Sequence, residues 1–147
     1  MGKSEMRPVE RTQGKAPEAY YYLGRFLEDC QRIQSHRFLS PEDRYGKLNR
    51  LVVRYFGSEE EDGMLQEDLN RYYHGILKDL QRDHPQFTRK MILVFSYTAA
   101  RLPRSMICMG AKISSEGAVS CLRSRMKKVI ATHVCERTAE YLDLLSR

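Results

Sequence analysis

Apolar side chains return at steps of three and four residues along most of the chain, which is the spacing of an amphipathic helix. Three segments show this pattern, at about residues 18–36, 41–56 and 64–83. Their repeating positions are Tyr20, Leu23, Phe26, Leu27, Cys30 and Ile33, then Tyr45, Leu48, Leu51, Val52, Tyr55 and Phe56, then Leu65, Leu69, Tyr72, Tyr73, Ile76, Leu77 and Leu80. The pattern predicts three long helices joined by short loops.

Polar residues and helix breakers mark where these helices begin and end. Ser40 precedes Pro41 and two acids, so Ser40 is predicted to cap a helix whose first position is proline. Gly57 is predicted to end that helix, and Pro85 breaks the next one. The acidic residues at 58–63 lack the alternating ligand spacing of a calcium loop, so a solvated loop is expected there.

Residues 87–130 predict three short helices separated by two breaks. The first helix is closed by Pro103. The second ends at Gly110, which is expected to take the positive φ of a helix C-terminus. The third begins at Ser115, a good N-cap residue, and runs to Ile130. This order is the outline of a helix-turn-helix.

The third of these helices has one apolar face and one polar, basic face. The apolar face is predicted to be buried and comprises Ala118, Val119, Leu122, Met126, Val129 and Ile130. The opposite face has small polar residues near its start and cations near its end. Short side chains let a helix lie close to DNA, while Arg and Lys contact bases and phosphates. This face is therefore predicted to enter a major groove.

The candidate DNA contacts form two groups. Phosphate contacts are expected from Arg104, Lys112, Lys127 and Lys128, and base-edge contacts from Ser120, Cys121, Ser124 and Arg125, with Arg123 on the flank of the same face. Basic amphipathic helices are also common as solvated faces of plain helical bundles. The alternative is therefore a non-enzymatic helical adaptor that binds protein, either RNA polymerase or a partner subunit.

The distribution of charge favours the DNA-binding hypothesis. Between Arg101 and Arg137 there are eight Lys or Arg and two acids, so this segment carries +6, which equals the net charge of the whole chain. Residues 17–100 carry −1. The cationic surplus therefore lies on the segment predicted to meet a polyanion, where release of counterions would favour binding.

The rest of the sequence narrows the class of protein. No apolar run approaches the length of a membrane span, and nothing at the start resembles a signal peptide. The four cysteines are far apart, so they are expected to be reduced thiols in a cytoplasmic protein. Residues 1–16 lack apolar periodicity and are predicted to be a flexible tail or linker.

An enzyme is not expected. The sequence contains no glycine-rich phosphate loop, no GxSxG elbow and no HExxH pair. The four histidines are isolated, and the pair formed by His133 and Cys135 is a weak zinc signal by itself. The sequence therefore predicts no catalytic residue, no metal, no cofactor and no small-molecule substrate.

Several short stretches resemble a known family. They are 22–30 (YLGRFLEDC), 69–73 (LNRYY), 84–87 (HPQF) and the block 95–130. These are similar to the cytoplasmic C-terminal part of Bacteroidetes TPR-containing transmembrane transcriptional regulators, and the resemblance covers most of residues 18–133. In that family a periplasmic repeat region and one membrane helix precede a coiled-coil-like helical segment, and the chain ends in a LuxR-like or sigma-factor-like helix-turn-helix.

The resemblance implies roles for particular positions. The scaffold helix of the family falls on Ser105–Met109, and its DNA-contacting helix falls on Ser115–Ile130. Two positions depart from the family pattern. Lys112, after Ala111, lengthens the turn, and Arg101 stands where glycine is common. Either departure is expected to change the angle of the DNA-contacting helix.

Together these observations predict an all-α protein with a long, coiled-coil-like helical arm followed by a compact helix-turn-helix domain. Residues 17–84 are expected to form a signalling and dimerisation region, and residues 85–147 the DNA-binding domain with a C-terminal helix. The predicted function is a transcriptional regulator that binds double-stranded DNA as a homodimer paired through its N-terminal helices. It would act in the cytoplasm, tethered to the inner membrane if the native chain is longer.

Overall fold

A computed structural model describes residues 17–147, which are all-α as predicted and contain no β-strand. The predicted flexible tail at residues 1–16 lies outside the described residues. Eight helices follow one another within the described part of the chain: α1 Ala19–Gln34, α2 Pro41–Phe56, α3 Met64–Tyr72, α4 Ile76–Asp83, α5 Arg89–Ala99, α6 Arg104–Ala111, α7 Glu116–Thr132 and α8 Thr138–Leu145.

The capping chemistry visible in the sequence explains where α2 begins and ends. The Ser40 hydroxyl accepts a hydrogen bond from the backbone N–H of Asp43 at 3.1 Å. Pro41 occupies the first position of the helix, where no N–H is needed. Gly57 follows the last residue with φ of 78°, a conformation that glycine adopts at low cost. These positions confirm the predicted limits of the second helix.

The prediction of a single third helix is wrong, because residues 64–83 form two helices, α3 and α4. The chain turns at His74 and Gly75, which both have positive φ, of 56° and 77°. The Asn70 side chain stabilises this turn, since its amide oxygen accepts a hydrogen bond from the backbone N–H of Leu77 at 2.9 Å. Apolar periodicity continues through the turn and therefore does not reveal it.

Helix α5 lies at the centre of the fold. All nine residues from Ile92 to Ala100 are buried. Helices α3, α4, α6, α7 and α8 all pack against α5. A helical stretch that is buried on every side is typical of such a central position, because it has no face left for water.

A small polar network joins the first helices to α5. The carbonyl of Phe56, at the end of α2, accepts hydrogen bonds from the Gln66 amide at 2.9 Å and from the Tyr97 hydroxyl at 2.8 Å. Gln66 also donates to the Ser96 hydroxyl at 3.0 Å and accepts from the Gly63 N–H at 2.7 Å. Burial raises the pKa of Tyr97 to about 12, so its hydroxyl remains a donor at neutral pH. Every group in this buried network has a partner, as a stable network requires.

The coiled-coil form of the N-terminal region is not confirmed. Helices α1 and α2 each have 16 residues and pack against one another. The start of α1 also contacts the end of α5, where the Ala19 N–H donates to the Ala100 carbonyl at 2.8 Å. Buried residues from both sides of residue 84 form one hydrophobic core. The division of the chain into two regions at that residue stays a prediction.

No helix within residues 17–147 is both long enough and apolar enough to cross a membrane.

His84 is a buried polar side chain whose ring nitrogens have no hydrogen-bond partner among the described residues. Its ring stacks on Phe87 with centroids 5.2 Å apart and meets Tyr141 edge-on at 5.9 Å. Burial lowers the pKa of His84; the Asp83 carboxylate opposes this effect, and His133 adds to it. The folded state therefore favours the neutral ring.

This geometry predicts a loss of stability in acid. The contribution of neutral His84 should be complete above about pH 6.5 and should disappear as the pH falls through the lowered pKa of the folded state. The melting temperature should then fall less between about pH 7.5 and pH 5 in His84→Phe than in the unchanged protein. The difference should be about 3–5 °C for each tenfold weakening of proton binding to His84 in the folded state. His36→Phe, an exposed histidine, is the matched control. Equal pH dependence in His84→Phe and the unchanged protein would contradict the prediction.

Candidate nucleic-acid interface

Helices α6 and α7 lie where the sequence predicts a helix-turn-helix, and they pack against one another. The Ser115 hydroxyl caps α7 by accepting a hydrogen bond from the Ala118 N–H at 3.1 Å, as predicted. The turn differs from the prediction, because Lys112 has the positive φ, of 58°, and ends α6. Gly110 lies inside α6, where a Cβ would come within 3.1 Å of the Tyr97 ring. Glycine at position 110 therefore allows close helix packing and does not form the turn.

Arg101 and Lys112 both adopt the left-handed conformation. Arg101 has φ of 68° in the connection between α5 and α6, and Lys112 has φ of 58°. This conformation costs a non-glycine residue roughly 1–2 kcal/mol. Glycine would be the less strained residue at each position, but both positions are occupied by cationic residues.

Helix α7 has the two faces that its sequence predicts. Val119, Met126 and Ile130 are completely buried, and they belong to the hydrophobic core. Leu122 and Val129 are half-buried and pack against the same core. The opposite side comprises Cys121, Ser124, Arg125 and Lys128, which are exposed, and Ser120, which is half-buried. These five residues line a shallow surface depression of about 380 Å³.

Arg104 joins the two helices of the motif. It lies in the first turn of α6, and its guanidinium donates a hydrogen bond to the Ser120 hydroxyl on α7 at 2.9 Å. The Arg104 side chain remains exposed. The structure therefore places this candidate phosphate contact directly beside the candidate base-edge residues.

Arg123 lies apart from the exposed face. Its guanidinium is half-buried and donates to the Leu145 carbonyl, the last residue of α8, at 2.9 Å. Burial lowers the pKa of Arg123, and the positive charge of Arg104 adds to this effect. Lys127, one turn further along α7, is also half-buried. The geometry therefore gives Arg123 a structural contact between α7 and α8 in addition to its candidate role.

The cations of the exposed face are free of acidic partners. Arg104, Lys112, Arg125 and Lys128 are exposed, and none forms an ion pair with a described residue. Arg137 differs, because it pairs with Asp79 at 2.7 Å and with Glu140 at 2.8 Å. Part of the charge surplus of residues 101–137 therefore stabilises the fold. The cations of that segment that form no ion pair with a described residue lie on α6, on α7 and in the turn between them.

Two supporting contacts were missed from the sequence. Lys90, in the first turn of α5, donates to the Lys112 carbonyl in the turn at 3.3 Å. Arg137 also donates to the carbonyl oxygens of Tyr73 and His74, which fixes the start of α8 to the break between α3 and α4. Tyr73 and His74 are about sixty residues away from Arg137 in sequence, so local spacing gives no signal for these two contacts.

Within residues 17–147, no group of three or more His, Cys, Asp or Glu side chains is placed to hold a metal ion. Comparison of the chain with protein-family models, with curated proteins and with solved structures found no match.

The contrast between neighbouring arginines on α7 leads to a stability prediction. Arg123→Ala should lower the free energy of unfolding by about 1–2 kcal/mol, because the carbonyl of buried Leu145 loses a charged donor. Arg125→Ala should change it by less than about 0.5 kcal/mol, because Arg125 is exposed and unpaired. Urea denaturation of the two variants gives both values. A loss for Arg125→Ala that equals or exceeds that for Arg123→Ala would contradict this assignment.

Proposed function

We propose that the protein is a non-enzymatic transcriptional regulator that binds duplex DNA through the exposed face of α7. The observation that carries the proposal is the set of four exposed, unpaired cations, Arg104, Lys112, Arg125 and Lys128, around the small polar residues of the second helix of a helix-turn-helix. Cations without acidic partners are available to phosphates, and such contacts supply much of the affinity for DNA.

The order of side chains along α7 supports docking in a major groove. Ser120, Cys121 and Ser124 are small, so the backbone of the first three turns can approach base edges closely. Arg125 follows them on the same face and is long enough to donate two hydrogen bonds to a guanine. Lys128 lies one turn further, where a phosphate contact would fix the position of the helix.

Arg104 and Lys112 extend this surface beyond α7. Arg104 lies in the first turn of α6, and Lys112 lies in the turn before α7. Cations placed beside the DNA-contacting helix can contact phosphates at the edge of the groove. The hydrogen bond from Arg104 to Ser120 also orders the first part of α7 before DNA arrives. Arg104 therefore has two tasks in this proposal, a contact to phosphate and a support for the helix.

The wider role follows the resemblance to the TPR-containing regulators. In that role the helix-turn-helix is the output of a signalling protein, it works in the cytoplasm, and the helices of residues 17–84 transmit the input. The competing proposal is a helical adaptor that uses the same surface to bind RNA polymerase or another protein. The two proposals differ in whether the cationic face of α7 binds DNA.

Binding to random-sequence duplex DNA, measured by fluorescence anisotropy, tests the proposal. Four phosphate contacts should lower the affinity by about a hundredfold between about 50 and 200 mM salt. Replacing Lys112 and Lys128, two exposed candidate phosphate contacts, together by alanine should weaken binding and should lower the slope of log K against log salt by about two. The reason is that two fewer counterions are released.

The matched control replaces Lys47 and Arg50, two exposed cations of α2, by alanine. This control removes the same charge from a surface outside the helix-turn-helix, and its salt dependence should equal that of the unchanged protein. An equal loss of binding in both double variants would show attraction to net charge alone. Absence of binding at low salt by the folded protein would refute DNA binding and favour the adaptor.

A further inference from the structure

One face of the hairpin formed by α1 and α2 exposes large apolar side chains to solvent. Tyr20 and Leu27 on α1 are 65% and 63% exposed, and Tyr45 on α2 is 69% exposed. Tyr20 and Leu27 are seven residues apart, as are Tyr45 and Val52. A step of seven residues places side chains on one side of a helix and is the repeat of helices that pair along a seam.

Within residues 17–147, the stripes of α1 and α2 on this face contain no charged residue, although 30% of the chain is charged. The positions that continue the stripe of α1 are Gly24 and Gln31. The other side of the hairpin is different, because a groove there is lined by Arg32, Lys47, Arg54 and Asp29 together with neighbouring residues. The hairpin therefore has one charged face and one apolar face.

The apolar face also contains a cavity of about 240 Å³. It is lined by Leu23 and Phe26 of α1, Val52 and Phe56 of α2, and Leu102 and Met106 before and within α6. Met109 stands at the same cavity and is 77% exposed. An apolar cavity of about 150 Å³ accommodates a benzene ring. The cavity is therefore large enough to hold one aromatic or branched side chain of a partner.

We propose that this apolar face is the surface through which a second copy of the chain pairs with the first. The face presents protruding side chains, Tyr20, Leu27 and Tyr45, and a cavity of matching chemistry, so two copies related by a two-fold axis can each fill the cavity of the other. A self-complementary patch of this kind is what a symmetric dimer requires. A charged partner is disfavoured, because its charges would be buried without counterparts.

The same face includes residues of the helix-turn-helix. Met106 and Met109 belong to α6, which packs against α7. Pairing through this face would therefore fix the positions of the two α7 helices relative to each other. This last consequence rests on the proposed DNA binding, whereas the pairing of two chains does not.

Sedimentation equilibrium of the full chain without DNA, over about 1–200 µM, tests the pairing. The unchanged protein should reach twice the 17.2 kDa of one chain. Leu27→Glu and Tyr45→Glu should each weaken self-association at least about tenfold, because each places a carboxylate in the apolar interface. Both positions are exposed, so the variants should remain folded, which circular dichroism checks.

The matched control is Val134→Glu, which places the same charge at another exposed apolar residue, 77% exposed and far from this hairpin in sequence. Val134→Glu should dimerise like the unchanged protein. Three results would overturn the proposal: a monomer at every concentration, a dimer unaffected by Leu27→Glu and Tyr45→Glu, or equal weakening in all three variants. Because DNA is absent, failure of the dimer and failure of DNA binding are distinguishable.

Discussion

The fold depends above all on the burial of α5. Every residue from Ile92 to Ala100 is excluded from water, so neighbouring helices must cover the helix on all sides. Helices α6 and α7 provide part of that cover, and this requirement fixes the helix-turn-helix against the core. The polar groups of α5 are compatible with burial largely because Ser96 and Tyr97 have partners, namely Gln66 and the Phe56 carbonyl.

Tyr97, one of the buried residues of α5, links the N-terminal helices to the candidate DNA surface. The carbonyl at the end of α2 is bonded to Tyr97, and the Tyr97 ring lies 3.1 Å from where a Cβ on Gly110 of α6 would stand. Arg123 connects α7 to α8 through its hydrogen bond to the Leu145 carbonyl. The helices proposed to receive a signal and the helices proposed to bind DNA are therefore connected through Tyr97 of α5, and a change in the packing of α2 has a short route to α6.

The sequence predicts features that depend on nearby residues and misses those that depend on distant ones. Ser40 and Ser115 cap their helices as predicted, because a cap and its partner are three residues apart. The buried face of α7 follows in the same way from periodicity. The break at His74, the packing role of Gly110 and the contact of Arg123 with Leu145 depend on tertiary neighbours, so local patterns give no signal for them. The candidate DNA contacts were found by charge and spacing, and the structure adds which cations are unpaired.

The central claim is that the exposed face of α7 contacts DNA, and amide NMR of the isotope-labelled protein tests it most directly. Titration with a short duplex should shift the backbone signals of Ser120, Cys121, Ser124, Arg125 and Lys128 first, together with those of Lys112 in the turn. Signals of the charged face of the hairpin, such as that of Lys47, should remain unchanged. Shifts confined to that hairpin, or spread evenly over all exposed cations, would contradict the claim.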